Sequence, residues 1–134
     1  MLRKVMPIEA ASSVWETPPE GGQGGNFLNA VVSVQTSMGI EDLRNNVLRP
    51  IEARLGRVRT SDPNSPRTID MDILIYDHQV VDESIWESAY ICVPLAEICP
   101  GYTHPESGLV LKDIAVRMRH TAPIRLRRDI RINQ

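Results

Sequence analysis

Apolar positions follow a period of two near the start of the chain and a period close to four in its middle, which separates strands from helix. Residues 10–17 (Ala-Ala-Ser-Ser-Val-Trp-Glu-Thr) read as a strand. Pro18-Pro19 stops it, because proline has no N–H to offer a ladder. The glycines of 21–25 read as a flexible loop, a mobile flap over a substrate. They are no phosphate loop, since no Lys-Ser/Thr follows them and no helix begins there. Phe27 to Val34 predicts a second strand, with Leu28, Ala30, Val32 and Val34 on one face and Phe27, Asn29, Val31 and Ser33 on the other.

From Ile40 the period lengthens. Leu43, Val47, Ile51 and Leu55 fall four apart and form one stripe of a helix, with Glu41 and Asp42 at its positive end and Gly56 where a C-terminal cap belongs. Pro50 inside that helix predicts a bend, at a cost of about 3 kcal/mol. Residues 60–66 are a proline-bearing loop, and Arg67 to Tyr76 is the clearest strand, with Ile69, Met71, Ile73 and Ile75 on one face. Pro94 to Pro100 predicts a short helical or turn segment, 104–108 a turn, and Leu111, Ile114, Ala115 and Met118 a last helix. This order predicts an α+β fold with helices on one face of an antiparallel sheet.

Length and charge narrow the classes. A chain of 134 residues suits one domain, and a formal net charge of -2 points to neither nucleic acid nor membrane. No apolar run approaches the about 20 residues of a membrane span. The first residues, Met1 to Ala11, mix Arg3, Lys4, Pro7 and Glu9, without the apolar core of a signal peptide. Cys92 and Cys99 are too few for a disulfide scaffold, and with His104 they match no familiar zinc spacing. The expected setting is the cytoplasm.

Candidate chemistry concentrates in Pro66-Arg67-Thr68-Ile69-Asp70-Met71-Asp72-Ile73. On a strand, Asp70 and Asp72 project from one face while their apolar neighbours anchor the other. Adjacent carboxylates repel unless water or a cation relieves them. Mg²⁺ takes one or two such ligands together with phosphate oxygens and water. Arg67 offers phosphate a planar fork of donors. Together these groups describe phosphoryl transfer, although a bare Asp-x-Asp is as readily a solvated strand face.

Further segments carry a resemblance. Ser-Ser-Val-Trp-Glu-Thr-Pro-Pro at 12–19, Phe-Leu-Asn-Ala at 27–30, Ile-Glu-Ala-Arg-Leu-Gly-Arg-Val-Arg at 51–59, Pro66 to Leu74, and Pro94-Leu95 followed by Glu97-Ile98 and Pro100 resemble, in order and spacing, the 6-hydroxymethyl-7,8-dihydropterin pyrophosphokinases. The resemblance spans roughly residues 10–115. It implies a ferredoxin-like antiparallel sheet and the Mg²⁺-dependent transfer of pyrophosphate from ATP to the pterin in folate biosynthesis, with AMP released. The alternative is a catalytically weak or inactive pterin- or nucleotide-binding relative, or a fragment of that enzyme. A metal-dependent hydrolase on an unrelated fold rests on the aspartate pair alone.

By the same resemblance Asp70 and Asp72 hold two Mg²⁺ ions. Thr17, Pro18, Phe27, Asn29 and Tyr90 bind the pterin. Glu52, Arg59 and Arg67 face ATP, and Arg67 and Arg57 act on the transferring group. Partners are then small molecules, and association with other folate-pathway enzymes is a further expectation. Three departures stand out. The family's opening strand, ending in Gly-Ser-Asn, has no counterpart, which leaves residues 1–9 as a remnant of the first helix or a linker. Asn64 replaces a loop Trp, and a Pro-His stretch is shortened to residues 84–90. The missing strand belongs between those at 27–34 and 67–76. The basic run at 117–134 is expected as an exposed tail; alternatively, the apolar-Arg alternation at 123–132 makes a strand that fills the gap.

Overall fold

In a computed structural model, residues 6–18, 26–58 and 70–130 are described, with the side chains of 56–58 left aside. The architecture is α+β and every strand pairing is antiparallel. The single strand expected at 10–17 is broken into β1 (Ile8–Ala11) and β2 (Val14–Thr17), and the one expected at 27–34 into β3 (Phe27–Asn29) and β4 (Val32–Val34). β1 pairs with β4, whereas β2 pairs with β3.

The breaks face each other and one residue stitches them. Ser12 donates its N–H to the Val31 carbonyl at 2.8 Å, and its hydroxyl accepts the Val31 N–H at 2.8 Å. A side-chain oxygen thus replaces a ladder carbonyl where the chain turns from one sheet to the next. Ser12 is the one buried polar residue of the described core. Ser12→Ala leaves the Val31 N–H without that acceptor and is expected to cost about 1–3 kcal/mol, read from the urea midpoint of unfolding.

The central helix forms as its stripe predicts, but Pro50 is accommodated by a change of helix type. α1 (Ile40–Leu43) passes through a π-helical segment, Arg44–Leu48, into α2 (Arg49–Val58). The Arg44 carbonyl accepts from the Arg49 N–H, one residue later than an α-helix would allow. Pro50, which has no N–H, follows at the point where the ladder has been shifted. Leu43, Val47, Leu48 and Ile51 bury against Met6, Val34, Met71 and Ile73, with Leu55 at the edge. Met6 therefore belongs to a core rather than to a loose linker.

The strand expected over residues 67–76 is the main correction. Residues 67–69 lie outside the described ones, 70–74 pair in no ladder, and only Ile75–Tyr76, β5, is a strand. It forms a hairpin with β6 (Gln79–Val80) through Asp77 and His78, whose φ angles of 50° and 65° suit the tight turn that matches strand twist. Alternating apolar residues were present, but no neighbouring strand takes up the backbone groups of 70–73 among the described residues. The Leu74 carbonyl instead accepts from the N–H groups of Val81 and Asp82.

A turn at Glu83–Trp86, capped by the Asp82 carboxylate on Ser84, leads into α3 (Ala89–Ile98). This helix is longer than the segment expected from Pro94, because it runs through that proline. Cys92, Val93, Leu95 and Ala96 are buried around Pro94, and their burial outweighs the one lost backbone bond. α4 (Leu111–Thr121) packs on α3, and Trp15, Ile85 and Leu111 join them in the larger core. Burial pushes the Cys92 thiol up to about 11, so it packs as a small apolar group.

The basic run is described as far as Ile130. Residues 117–121 complete α4, and β7 (Arg125–Arg127) pairs with β2 on the edge opposite β3. Within the alternation at 123–132, residues 125–127 make a strand, but not in the place considered for it: β4 pairs only with β1 among the described residues, and 131–132 lie outside them. Ile124 and Leu126 pack into the core. Arg127 bonds Asp129 and reaches Glu16, which also accepts from Asn26 at 2.9 Å. The Asn26 hydrogen bond, foremost, holds the Glu16 carboxyl below its usual range, and the Arg127 hydrogen bond brings Asp129 to about 2.

Candidate active site

The chain reverses between β2 and β3 so that Thr17 lies opposite Phe27 in the ladder and Trp15 opposite Asn29. The Asn29 amide donates to the Thr17 hydroxyl at 3.3 Å. That bond uses one donor and leaves the amide's carbonyl and second N–H for a ligand. Phe27 is 43% exposed and Tyr90, in the first turn of α3, is 46% exposed. Both border one open cleft of about 2080 Å³, together with Thr17, Pro18 and Asn29. Large aromatic rings left open on a cleft wall have unspent apolar surface, a property of binding sites for flat ligands.

Asp70 and Asp72 border the same cleft. Although 70–74 is not a regular strand, exposure alternates as expected: both aspartates are exposed while Met71 and Ile73 turn toward the core under α2. Glu52 holds the segment in place. One of its oxygens accepts the Met71 N–H at 2.5 Å and the other accepts from Arg49 at 2.5 Å. Arg49 also reaches Asp72 at 3.9 Å. Both Glu52 oxygens are therefore engaged by protein groups, and its role in this geometry is to brace the stretch between the two aspartates.

The aspartates suit a magnesium ion in donor chemistry: two hard, exposed carboxylates beside a space large enough for phosphate and water. Among the described residues no group of three or more His, Cys, Asp and Glu is gathered to hold a metal. Magnesium rarely uses such a cage, and a site completed by substrate oxygens is its common mode. Arg59 and Arg67 lie outside the described residues, and so does the side chain of Arg57 in the last turn of α2. The glycines of 21–25 and Asn64 lie outside them too.

Two contributors were missed from sequence. Nothing in the sequence pattern singles out Arg49: its reach to Asp72 depends on how α2 faces residues 70–72, which spacing does not encode. Glu97 was noted within a matching segment but given no task. Its carboxylate accepts from the Ser13 N–H at 3.1 Å, the Ser13 hydroxyl at 2.8 Å and the Trp15 indole N–H at 2.6 Å. Local pattern gives no signal for a contact across so long a sequence separation. No helix among the described residues is long and apolar enough to cross a membrane.

The family model of 7,8-dihydro-6-hydroxymethylpterin-pyrophosphokinase matches residues 1–100. A protein of Methylorubrum extorquens named 2-amino-4-hydroxy-6-hydroxymethyldihydropteridine pyrophosphokinase is 41% identical over 102 residues, covering 69% of this chain and 63% of that protein. The protein of the same name from Bacillus subtilis is 33% identical over 101 residues, covering 69% of this chain and 59% of its own length. The folic acid synthesis protein FOL1 of Dictyostelium discoideum is 31% identical over 113 residues, which is 78% of this chain but 17% of that longer protein. The chain thus spans less than two thirds of each of these relatives. With the model matched over most of its length, the chain belongs to the 7,8-dihydro-6-hydroxymethylpterin-pyrophosphokinase family.

Proposed function

We propose that the chain transfers pyrophosphate from ATP to the hydroxymethyl group of 6-hydroxymethyl-7,8-dihydropterin, a step of folate biosynthesis that belongs in the cytoplasm. The observation that carries this reading is that Thr17, Phe27, Asn29, Tyr90, Asp70 and Asp72 all border one cleft although they come from four separate stretches of chain. Phe27 and Tyr90 are the exposed aromatic rings of this cleft against which a flat bicyclic ring would pack. Its edge, with donors and acceptors side by side, matches the Asn29 amide and the backbone of Thr17.

Asp70 and Asp72 would hold Mg²⁺, two ions in all, beside the triphosphate of ATP. When bound, the metal neutralises charge that develops on the phosphate oxygens. The protein's part is positioning. Glu52 fixes the Met71 backbone so that both aspartates stay on the cleft side, and Arg49 offsets their repulsion beforehand. The substrate hydroxyl oxygen bonds to the β-phosphorus, the bond from that phosphorus to the α,β-bridging oxygen breaks, and AMP leaves; the hydroxyl proton is released. Arg57, Arg59 and Arg67 belong to the ATP side of this reading by their place in the matching motifs.

The experiment is direct. The purified chain is incubated with ATP and Mg²⁺, with and without the dihydropterin, and nucleotides are separated by chromatography. AMP formed only when both dihydropterin and Mg²⁺ are present supports the reading. A folded chain that yields ADP, or binds both substrates without producing AMP, overturns it.

A further inference from the structure

β2 and α3 are in contact, and a single carboxylate bonds one to the other. Tyr90 and Glu97 lie seven residues apart on α3. That separation is two turns, about 10.5 Å along the axis, and returns to within about 20° of the same face. Both residues are exposed, as side chains on one face of a helix bordering solvent would be. On β2 and the bend before it, Ser13 and Thr17 are four residues apart, about 13 Å of extended chain. Glu97 is bonded to Ser13 and Trp15, while Tyr90 and Thr17 share the cleft. The carboxylate thus fastens α3 to β2 two helical turns from Tyr90.

The fastening is unusually complete for an exposed side chain. Three donors converge on Glu97, and no cation is paired with it among the described residues. Two of the donors come from Ser13, at the bend where the chain passes from β1 to β2, and the third is the indole of buried Trp15, whose ring carries the Arg119 guanidinium of α4 at 5.0 Å. A slide of α3 along β2 would break all three bonds together, and would move Tyr90 relative to Phe27 and Asn29.

We propose that Glu97 is a positioning residue for the flat-ring pocket: it fixes the register of α3 on β2 and thereby the gap between Tyr90 and the wall made by Thr17, Phe27 and Asn29. This rests on the reading of that pocket as the pterin site. Glutamine is a discriminating replacement, because one acceptor oxygen becomes an N–H₂ that must meet the N–H of either Ser13 or Trp15. Ser13→Ala removes the hydroxyl donor and leaves the other two.

The test measures binding of the dihydropterin and of ATP separately, by calorimetry, to the unaltered chain, E97Q and S13A, with a melting curve for each. E97Q is expected to weaken dihydropterin binding about tenfold, since small misplacements in a preorganised site carry such penalties. S13A is expected to weaken it less, and ATP affinity to stay as in the unaltered chain for both. Equal dihydropterin affinity in all three proteins overturns the proposal. Parallel loss of both ligands with a lowered melting temperature overturns it as well, because that is the mark of a purely structural contact. An unaltered chain that fails to bind dihydropterin overturns the pocket reading, and this inference with it.

Discussion

Asp72→Ala is expected to lower AMP formation by about 100-fold or more, since even groups standing behind metal ligands are worth about 10–100-fold. Asp72 is the aspartate that Arg49 reaches, and it borders the cleft with Asp70. On the proposed reading, removing it takes away a magnesium ligand and leaves Arg49 bonded to Glu52 alone among the described residues. The loss should appear mainly as a raised Mg²⁺ requirement, with dihydropterin affinity retained, because Asn29 and Thr17 do not depend on it. Titrating Mg²⁺ against initial rate, and dihydropterin by calorimetry, separates the two. Activity that survives in both Asp70→Ala and Asp72→Ala would remove the metal assignment.

Ile85→Ala is expected to cost about 2–5 kcal/mol of folding stability, with the cavity it leaves adding to the lost transfer energy. Ile85 is fully buried with Cys92, Leu111 and Trp15, at the meeting point of the turn before α3, α4 and β2. Against a total stability of about 5–15 kcal/mol for a domain, this is a large fraction. Urea unfolding should show a lower midpoint with an unchanged slope, which separates lost stability from a changed denatured state. A midpoint equal to that of the unaltered chain would mean that this junction is not the core it appears in the structure.

The aspartate pair, the aromatic-Leu-Asn stretch and the Thr-Pro-Pro turn were legible because each is a local pattern whose chemistry survives in any fold that keeps it in order. Their convergence on one cleft was implied by resemblance, not by spacing. The strand expected at 67–76 shows the limit of spacing. Alternation correctly gave which side chains face out at 70–73, but a strand also needs a neighbour to bond, and pattern is silent on neighbours. At Pro50 a propensity argument foresaw trouble in the helix but not its form: the Arg44 carbonyl shifts to a later partner, which keeps Leu43, Val47 and Ile51 on one buried face. At Pro94 the same argument placed the helix start too late, because burial of Cys92 and Leu95 outweighed the cost of the proline.

Sequence alone determined the α+β class, the central helical stripe and the last helix, since all of these follow from side-chain type and short-range period. Tertiary structure decided the rest: Ser12 joining two sheets, β7 choosing β2 as its neighbour, Glu52 bracing the aspartates and Glu97 aligning α3. Each is a contact between positions far apart in the chain, and its energy exists only once folding has brought both partners to one place.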